Sequence, residues 1–280
     1  MPPCRVPDAV VAAVKRHPFV HRTARRARFV LGRVIPPRRY QGIPGRIHFN
    51  DFMFDDASPT GIASYRERAL NVIEKIEVTL DAAGTSFDRV ERWLDFGCGY
   101  GRVVRFLLER VPPERIAVAD VVREGVDFCS SEFGVHPVYS DANLSRLRLG
   151  SFDFIYAISV ITHLNERNSL SFLRLLGESV RVNGLVLFTT HGQWSLEHPE
   201  TYGEEYAARA AAIKNDVETR GTCFLPYRYL QGDEYGVAWH SRKYVEETML
   251  RLHAGRLRPL LFEARGLDNH QDVFAFRREY

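Results

Sequence analysis

The chain is poor in cysteine: 280 residues hold four, Cys4, Cys98, Cys129 and Cys223. They are far apart and show no metal-ligand spacing, which excludes a zinc ribbon and points to free thiols in a reducing compartment such as the cytoplasm. No metal is expected. No apolar run approaches the roughly 18 residues that a membrane-spanning helix needs. Residues 10–14 are apolar, but Lys15 and Arg16 follow at once, so no secretory leader is expected. Internal repeats are missing too. The scarcest feature is local. Residues 1–50 carry a single acid, Asp8, against eleven Lys+Arg, a net of +10. The other 230 residues carry 27 Lys+Arg against 34 Asp+Glu, a net of −7, so the overall +3 conceals two unlike parts.

The 45% hydrophobic content suffices for one α/β domain of ordinary size with an extension. The densest information lies in residues 92–106, RWLDFGCGYGRVVRF. An apolar strand (Trp93, Leu94, Phe96) runs into Gly97-Cys98-Gly99-Tyr100-Gly101 and then into helical spacing (Val103, Val104, Leu107, Leu108). A strand turning over glycines into a helix is a nucleotide- or nucleoside-binding device, because glycine accepts positive φ and lets a ligand reach the backbone. The spacing is G-x-G-x-G. The dinucleotide fingerprint asks for G-x-G-x-x-G and would need glycine where Arg102 stands. Cys98 reads as a small residue suited to the tight turn.

With Asp95 two residues before the first glycine, LDFGCGYGR resembles motif I of the class I S-adenosylmethionine-dependent methyltransferases. The resemblance covers about residues 62–190 closely and 241–280 more loosely. It implies a Rossmann-like fold with S-adenosylmethionine as cofactor and S-adenosylhomocysteine as product. It also implies roles. Asp95 orients the methionine ammonium, and Gly97, Cys98 and Gly99 bring backbone to the cofactor. Asp120, at the end of IAVAD, accepts the ribose hydroxyls, with Val121 beside it. Asp141 and Ala142, in YSDANL, stand by the adenine. Ser159 lies at the carboxyl end of the strand in FDFIYAISV, where ligands bind in open α/β sheets.

Periodicity and punctuation predict the rest. A basic N-terminal extension and linker covers 1–60, with one or two helices before residue 35, punctuated by Pro18. A domain over 61–280 follows. Helices are expected at 62–81, 101–110, 123–133, 166–180 and 242–253, the last capped by Ser241. Strands are expected at 92–96, 116–119, 137–139, 152–158 and 185–190, with a turn at Asn183-Gly184. Two terminal strands, 258–264 and 272–276, are expected to join over Gly266. This alternation makes an α/β, seven-stranded, mostly parallel sheet ending in an antiparallel hairpin. Residues 192–240 form an insertion after the fifth strand, rich in Trp and Tyr. It serves either as a cap over the acceptor or as a small core of its own.

Transfer from a sulfonium is an in-line displacement, so the protein mainly aligns donor and acceptor. A hydroxyl acceptor adds the need for a base, which favours histidine. His163 and His191 both follow strand ends on the expected side and are the candidate catalytic residues. His240 and Asp153 read as structural. ISVI stands where base and protein-amide N-methyltransferases of this kind carry an N-P-P-[YF]-like tetrapeptide. The expected reaction is therefore methylation, more often at oxygen, of a small-molecule or glycan-type acceptor. The rivals are a macromolecular methyltransferase using the basic arm, a non-catalytic cofactor-binding protein and an NAD-dependent dehydrogenase. The arm reads as a solvated helix packing Phe19, Val20, Phe29, Val30 and Leu31 on the domain or on the second subunit of a homodimer. Contact of residues 15–39 with an anionic membrane is the alternative, and sparse aromatic interleaving disfavours nucleic acid.

Overall fold

The computed structural model describes Val14, residues 17–230 and residues 233–280. Cys4, Lys15 and Arg16 lie outside the described residues. Helix α1 (Pro18–Val34) starts with proline in its first turn, where a missing N–H costs nothing. A two-stranded ribbon, β1 (Arg38–Arg39) and β2 (Arg46–Ile47), follows. Helix α2 (Pro59–Ala82) begins three residues earlier than its apolar periodicity indicates, because the Ser58 hydroxyl accepts the Gly61 N–H at 3.1 Å and Pro59 fits the first turn. Ala69, Val72, Ile73, Ile76 and Leu80 bury its inner face.

The main unit alternates strand and helix: β3 (Trp93–Phe96), α3 (Val104–Leu107), β4 (Ile116–Asp120), α4 (Arg123–Phe133), β5 (His136–Tyr139), β6 (Phe152–Ala157), α5 (Glu166–Ser179) and β7 (Val180–His191). The inserted segment holds α6 (Gln193–Glu197), α7 (Glu204–Ala207), α8 (Ala210–Arg220) and an antiparallel ribbon of β8 (Thr222–Pro226) with β9 (Gly236–His240). Helix α9 (Arg242–Leu252) and the strands β10 (Leu257–Leu267) and β11 (Gln271–Arg278) complete the described chain. As expected, the Ser241 hydroxyl caps α9 by accepting the Tyr244 N–H at 3.2 Å.

The seven-stranded sheet has the order β10-β11-β7-β6-β3-β4-β5. Strands β3 to β7 are parallel, and β11 enters antiparallel between β7 and β10. The strand order reverses between β3 and β6, which opens a crevice at their carboxyl ends. Apolar layers cover both faces of the sheet, so its central strands are buried throughout.

Two expectations are corrected. The terminal strands do not join over Gly266. β10 runs on to Leu267, and the turn falls at Asp268 and Asn269, both left-handed (φ 48° and 61°). Asp and Asn tolerate that region, while Gly266 sits in a stretch where the β10–β11 register shifts. The helix expected over 101–110 is regular only at Val104–Leu107. Around it the bonds tighten to i→i−3, as from Phe106 N–H to the Val103 carbonyl (3.0 Å) and from Arg110 N–H to the Leu107 carbonyl (2.9 Å). Of the α1 residues expected to pack on the domain or on a second subunit, Phe19, Val20, Val30 and Leu31 are exposed in this chain, and Phe29 alone of the five is half-buried, its ring against Phe52. The turn expected at Asn183-Gly184 survives as an irregularity inside β7, with Asn183 left-handed (φ 66°).

Candidate functional site

The glycine loop is tied to the end of β4 by backbone and carboxylate together. Gly97 and Cys98 N–H groups both point at the Ala119 carbonyl (2.7 and 3.2 Å). Asp120 accepts the Gly99 N–H through Oδ2 and the Val122 N–H through Oδ1, each at 2.8 Å. A carboxylate oxygen has room for further donors, so Asp120 holds the loop while keeping acceptor capacity. Burial raises its pKa, and the two backbone bonds pull the other way. Gly97 (φ 88°), Gly99 (φ 52°) and Gly101 (φ 77°) are all left-handed. At Gly97 a Cβ would strike the Val160 side chain, and at Gly101 it would press on Phe133 and Cys129. At Gly99 it would meet nothing within 4 Å, so open space adjoins the backbone there. Cys98 is buried in the turn, and its thiol is pushed up by the neighbouring Cys129 thiol and by burial.

Asp95 lies at the floor of this loop, buried, and its Oδ2 has no hydrogen-bond partner among the described residues. Burial raises its pKa to about 7, against the pull of the Tyr156 hydroxyl beside it. An orphaned buried carboxyl group beside an open glycine is a site for a cation. These observations fit a ligand carrying an ammonium and a ribose, with Asp95 near the first and Asp120 near the second.

The remaining candidates split. Val121 is exposed at the end of β4, and Asp141 and Ala142 are exposed after β5. Asp141 Oδ1 accepts the Asn143 N–H at 2.7 Å, a turn that shapes its own loop. Ser159 is left-handed (φ 57°), a costly conformation for a non-glycine residue. It is held there by its N–H to Thr189 Oγ1 (2.9 Å) and by Gln271, whose Nε2 donates to Ser159 Oγ (2.9 Å) and whose Oε1 accepts the Thr189 hydroxyl (2.6 Å).

His163 and His191 meet edge to face, ring centroids 6.4 Å apart. His163 Nδ1 lies 3.0 Å from the Gly236 carbonyl, and His191 Nδ1 lies 3.0 Å from the Ala238 carbonyl. A carbonyl can only accept, so both Nδ1 atoms carry the proton and both Nε2 atoms keep a lone pair. The two carbonyls are two residues apart on β9 and so share one edge of that strand. The Tyr227 oxygen sits 2.9 Å from His163 Nδ1 as well. Burial lowers the pKa of both histidines, far more for His191, where His163 adds to the effect. Both are neutral imidazoles near pH 7. His240 is buried with both ring nitrogens unpartnered among the described residues, its pKa lowered to about 4 by burial, which suits a packing role. Asp153, at the start of β6, accepts the Arg92 N–H (2.9 Å) and pairs with Arg181 (3.1 Å), a brace far from the crevice.

Of the two roles expected of the inserted segment, the small core is formed. Leu196, Tyr206, Ile213, Val217 and Trp239 form a small core. Tyr202 and Tyr227 pack against this core and also face the histidines, Tyr202 with its ring 4.6 Å from that of His191. A surface groove lies elsewhere, between residues 144–148 and α5, and no candidate residue lines it.

Several participants carry no sequence signal. Glu124 Oε2 accepts from both Asn50 Nδ2 and the Tyr100 hydroxyl, each at 2.7 Å, and His48 stacks on Tyr100 at 4.7 Å. This cluster clamps the linker to the glycine loop. Arg105, wholly buried without an acid, donates to the carbonyls of Pro44, Arg46, Tyr100 and Gly101 (2.7–3.1 Å). Residues 50 and 124 belong to no common local pattern. Arg105 could have been flagged only as a charge on the apolar face of its helix.

Residues 63–271 match a family of methyltransferase domains. That is most of the chain, and the chain belongs to this family. Its fold is that of S-adenosylmethionine-dependent methyltransferases. The PH0226 protein of Pyrococcus horikoshii OT3 is 15% identical, with 77% of this chain and 91% of that one covered and a TM-score of 0.51. The magnesium protoporphyrin IX methyltransferase of Synechocystis PCC 6803, solved with S-adenosylhomocysteine, is 11% identical over 81% of this chain and 91% of that one, TM-score 0.50. The amino pentose methyltransferase CalS10 of Micromonospora echinaspora, solved with S-adenosylmethionine, is 14% identical over 76% and 91%, TM-score 0.50. No curated protein sequence matches the chain.

Proposed function

We propose that the protein is a methyltransferase that uses S-adenosylmethionine to methylate a hydroxyl group on a small-molecule or glycan-type acceptor. The observation that carries this reading is the pair of neutral imidazoles, His163 and His191, presented by β9 beneath the aromatic cap. A base that is uncharged near pH 7 serves a hydroxyl acceptor, whereas an amine free base needs none. Two proteins of similar fold act, by name, on a porphyrin and on an amino pentose, which supports a small acceptor.

In this reading Asp95 takes the cofactor ammonium, Asp120 the ribose hydroxyls, and Gly97, Cys98 and Gly99 the backbone approach. Val121, Asp141, Ala142 and Ser159 border the adenosine. The cofactor supplies an activated methyl on a sulfonium. Nε2 of His163, the more exposed imidazole, would take the proton of the acceptor hydroxyl. The Gly236 carbonyl steadies the resulting imidazolium through Nδ1–H. His191 backs His163 and keeps the pocket free of water. Tyr202 and Tyr227 flank the acceptor.

The test uses methyl-labelled S-adenosylmethionine with a panel of hydroxylated and amino acceptors. Label transferred to a hydroxyl compound and lost in His163→Gln, with cofactor affinity intact, is the expected result. Transfer to amines alone, or full activity in both His163→Gln and His191→Gln, overturns it. Cofactor binding without transfer to any acceptor would favour the non-catalytic rival.

A further inference from the structure

Helix α1 turns its apolar side outward. At 100° per residue, Phe19, Val30 and Val34 line up, Val20 and Leu31 widen the stripe, and Ala27 lies within it. Phe19 is 81% exposed, Val30 59% and Val34 72%, and Val20 and Leu31 are near half. The one polar residue in the stripe, Thr23, donates its hydroxyl back to the Phe19 carbonyl (2.9 Å), so it can leave water with its donor satisfied. Arg22, Arg26 and Arg33 follow one edge of the stripe and are exposed.

The opposite side is already taken. The His21 ring packs tilted against Tyr229 of the inserted segment (centroids 4.3 Å apart), and the Arg25 and Arg28 guanidinium groups lie over Phe52. Gly32 passes so close to Asn50 that a Cβ would collide with its amide. The helix therefore bridges the aromatic cap and the Asn50–Glu124 cluster, with its back to the protein and its apolar stripe to the outside. Its packing cannot be reversed without breaking these contacts.

An outward apolar stripe needs an occupant, and the charges select it. Residues 18–34 hold five arginines and no acid. Among the described residues only Glu124 pairs with any of them, at 3.4 Å from Arg33. A second copy would bring the same three edge cations, Arg22, Arg26 and Arg33, to the contact. Nucleic acid would meet an aliphatic face, with the cations confined to one edge. An anionic bilayer accepts both features at once: apolar side chains at headgroup depth and arginines among the phosphates. We propose that α1 is a peripheral anchor that lays its outer face on an anionic lipid surface. This stands on α1 alone and does not depend on the acceptor.

The test is vesicle flotation of the whole protein with equimolar phosphatidylglycerol and phosphatidylcholine, against phosphatidylcholine alone. Binding to the anionic vesicles only, weakening as salt is raised, is expected. Arg22→Ala with Arg26→Ala should weaken it roughly thirtyfold, from about 1 kcal/mol per arginine near the surface. Phe19→Ser with Val30→Ser and Val34→Ser should abolish it. All five positions are exposed, so thermal melting and cofactor affinity should stay as in the parent. Absence of binding to anionic vesicles overturns the proposal. So does equal binding to neutral vesicles, or binding unchanged in the triple serine variant. Self-association removed by the triple variant, without vesicle binding, would reassign the face to a second copy. RNA binding removed by the arginine variant alone would reassign it to nucleic acid.

Discussion

Asp95 is a buried carboxyl group in the middle of β3. Its carboxyl group is buried with an oxygen unpartnered among the described residues, and burial raises its pKa from 3.8 to about 7. A raised folded-state pKa means that the native protein holds a proton which the unfolded chain has already released. Its contribution to stability is therefore present below about pH 3.8 and lost as pH rises to about 7. Asp95→Asn should flatten this part of the stability profile, seen by thermal melting across that window. Asp120 is the complementary case: it holds the Gly99 and Val122 amides, and in the proposed function it also accepts from the ribose. Asp120→Ala should cost about 1–3 kcal/mol of adenosyl-ligand affinity in calorimetric titration. Unchanged affinity would remove it from the site. The lowered pKa values of His163 and His191 make a further residue-scale prediction. Turnover that depends on a neutral imidazole should persist below the usual histidine midpoint of 6.5 before it falls with acid. A midpoint at or above 6.5 in the pH–rate profile would point to another base.

At the scale of elements, β9 matters more than its length of five residues indicates. Its Gly236 and Ala238 carbonyls set the tautomers of both histidines, a constraint made by strand register. Both histidines were legible in the sequence, as residues just after strand ends. Their shared partner was not, because β9 is separated from His163 by some seventy residues and its backbone carries no residue code. The glycine loop shows the same division. Its glycines and Asp120 are local pattern. The clamp of Asn50, Tyr100 and Glu124 and the four-carbonyl cradle of Arg105 are long-range. Arg105→Leu should orphan several buried carbonyls, at about 1–3 kcal/mol each, and lower the melting temperature accordingly. Little or no loss would mean that water or a shifted linker replaces the guanidinium. Ser241→Ala, at a cap read directly from the sequence, should cost about 1 kcal/mol.

On the scale of the whole molecule, a ligand that binds only the native state stabilises all of it. S-adenosylhomocysteine at about 100 times its Kd should add about 2.7 kcal/mol, a rise of a few degrees in melting temperature. NAD should add nothing, since the loop lacks the third glycine of the dinucleotide fingerprint. The charge asymmetry belongs to this scale as well: Arg22, Arg26 and Arg33 of the basic first fifty residues are exposed along one edge of α1, while Asp120 and Glu124, which hold and clamp the glycine loop, lie in the net acidic remainder.

The sequence by itself determined the alternation of strands and helices, the parallel sheet that follows from it, the glycine loop and the carboxylates at the ends of β3 and β4. Those depend on periods of two and 3.6 residues and on residues next to one another in the chain. Only the tertiary structure decided that the apolar side of α1 faces out, that Tyr202 and Tyr227 bring the small core of the inserted segment against the histidines, and that β9 holds both imidazoles in one tautomer. Each of these rests on contacts between residues distant in the chain, which side each element presents to its neighbours, and no local pattern carries that information.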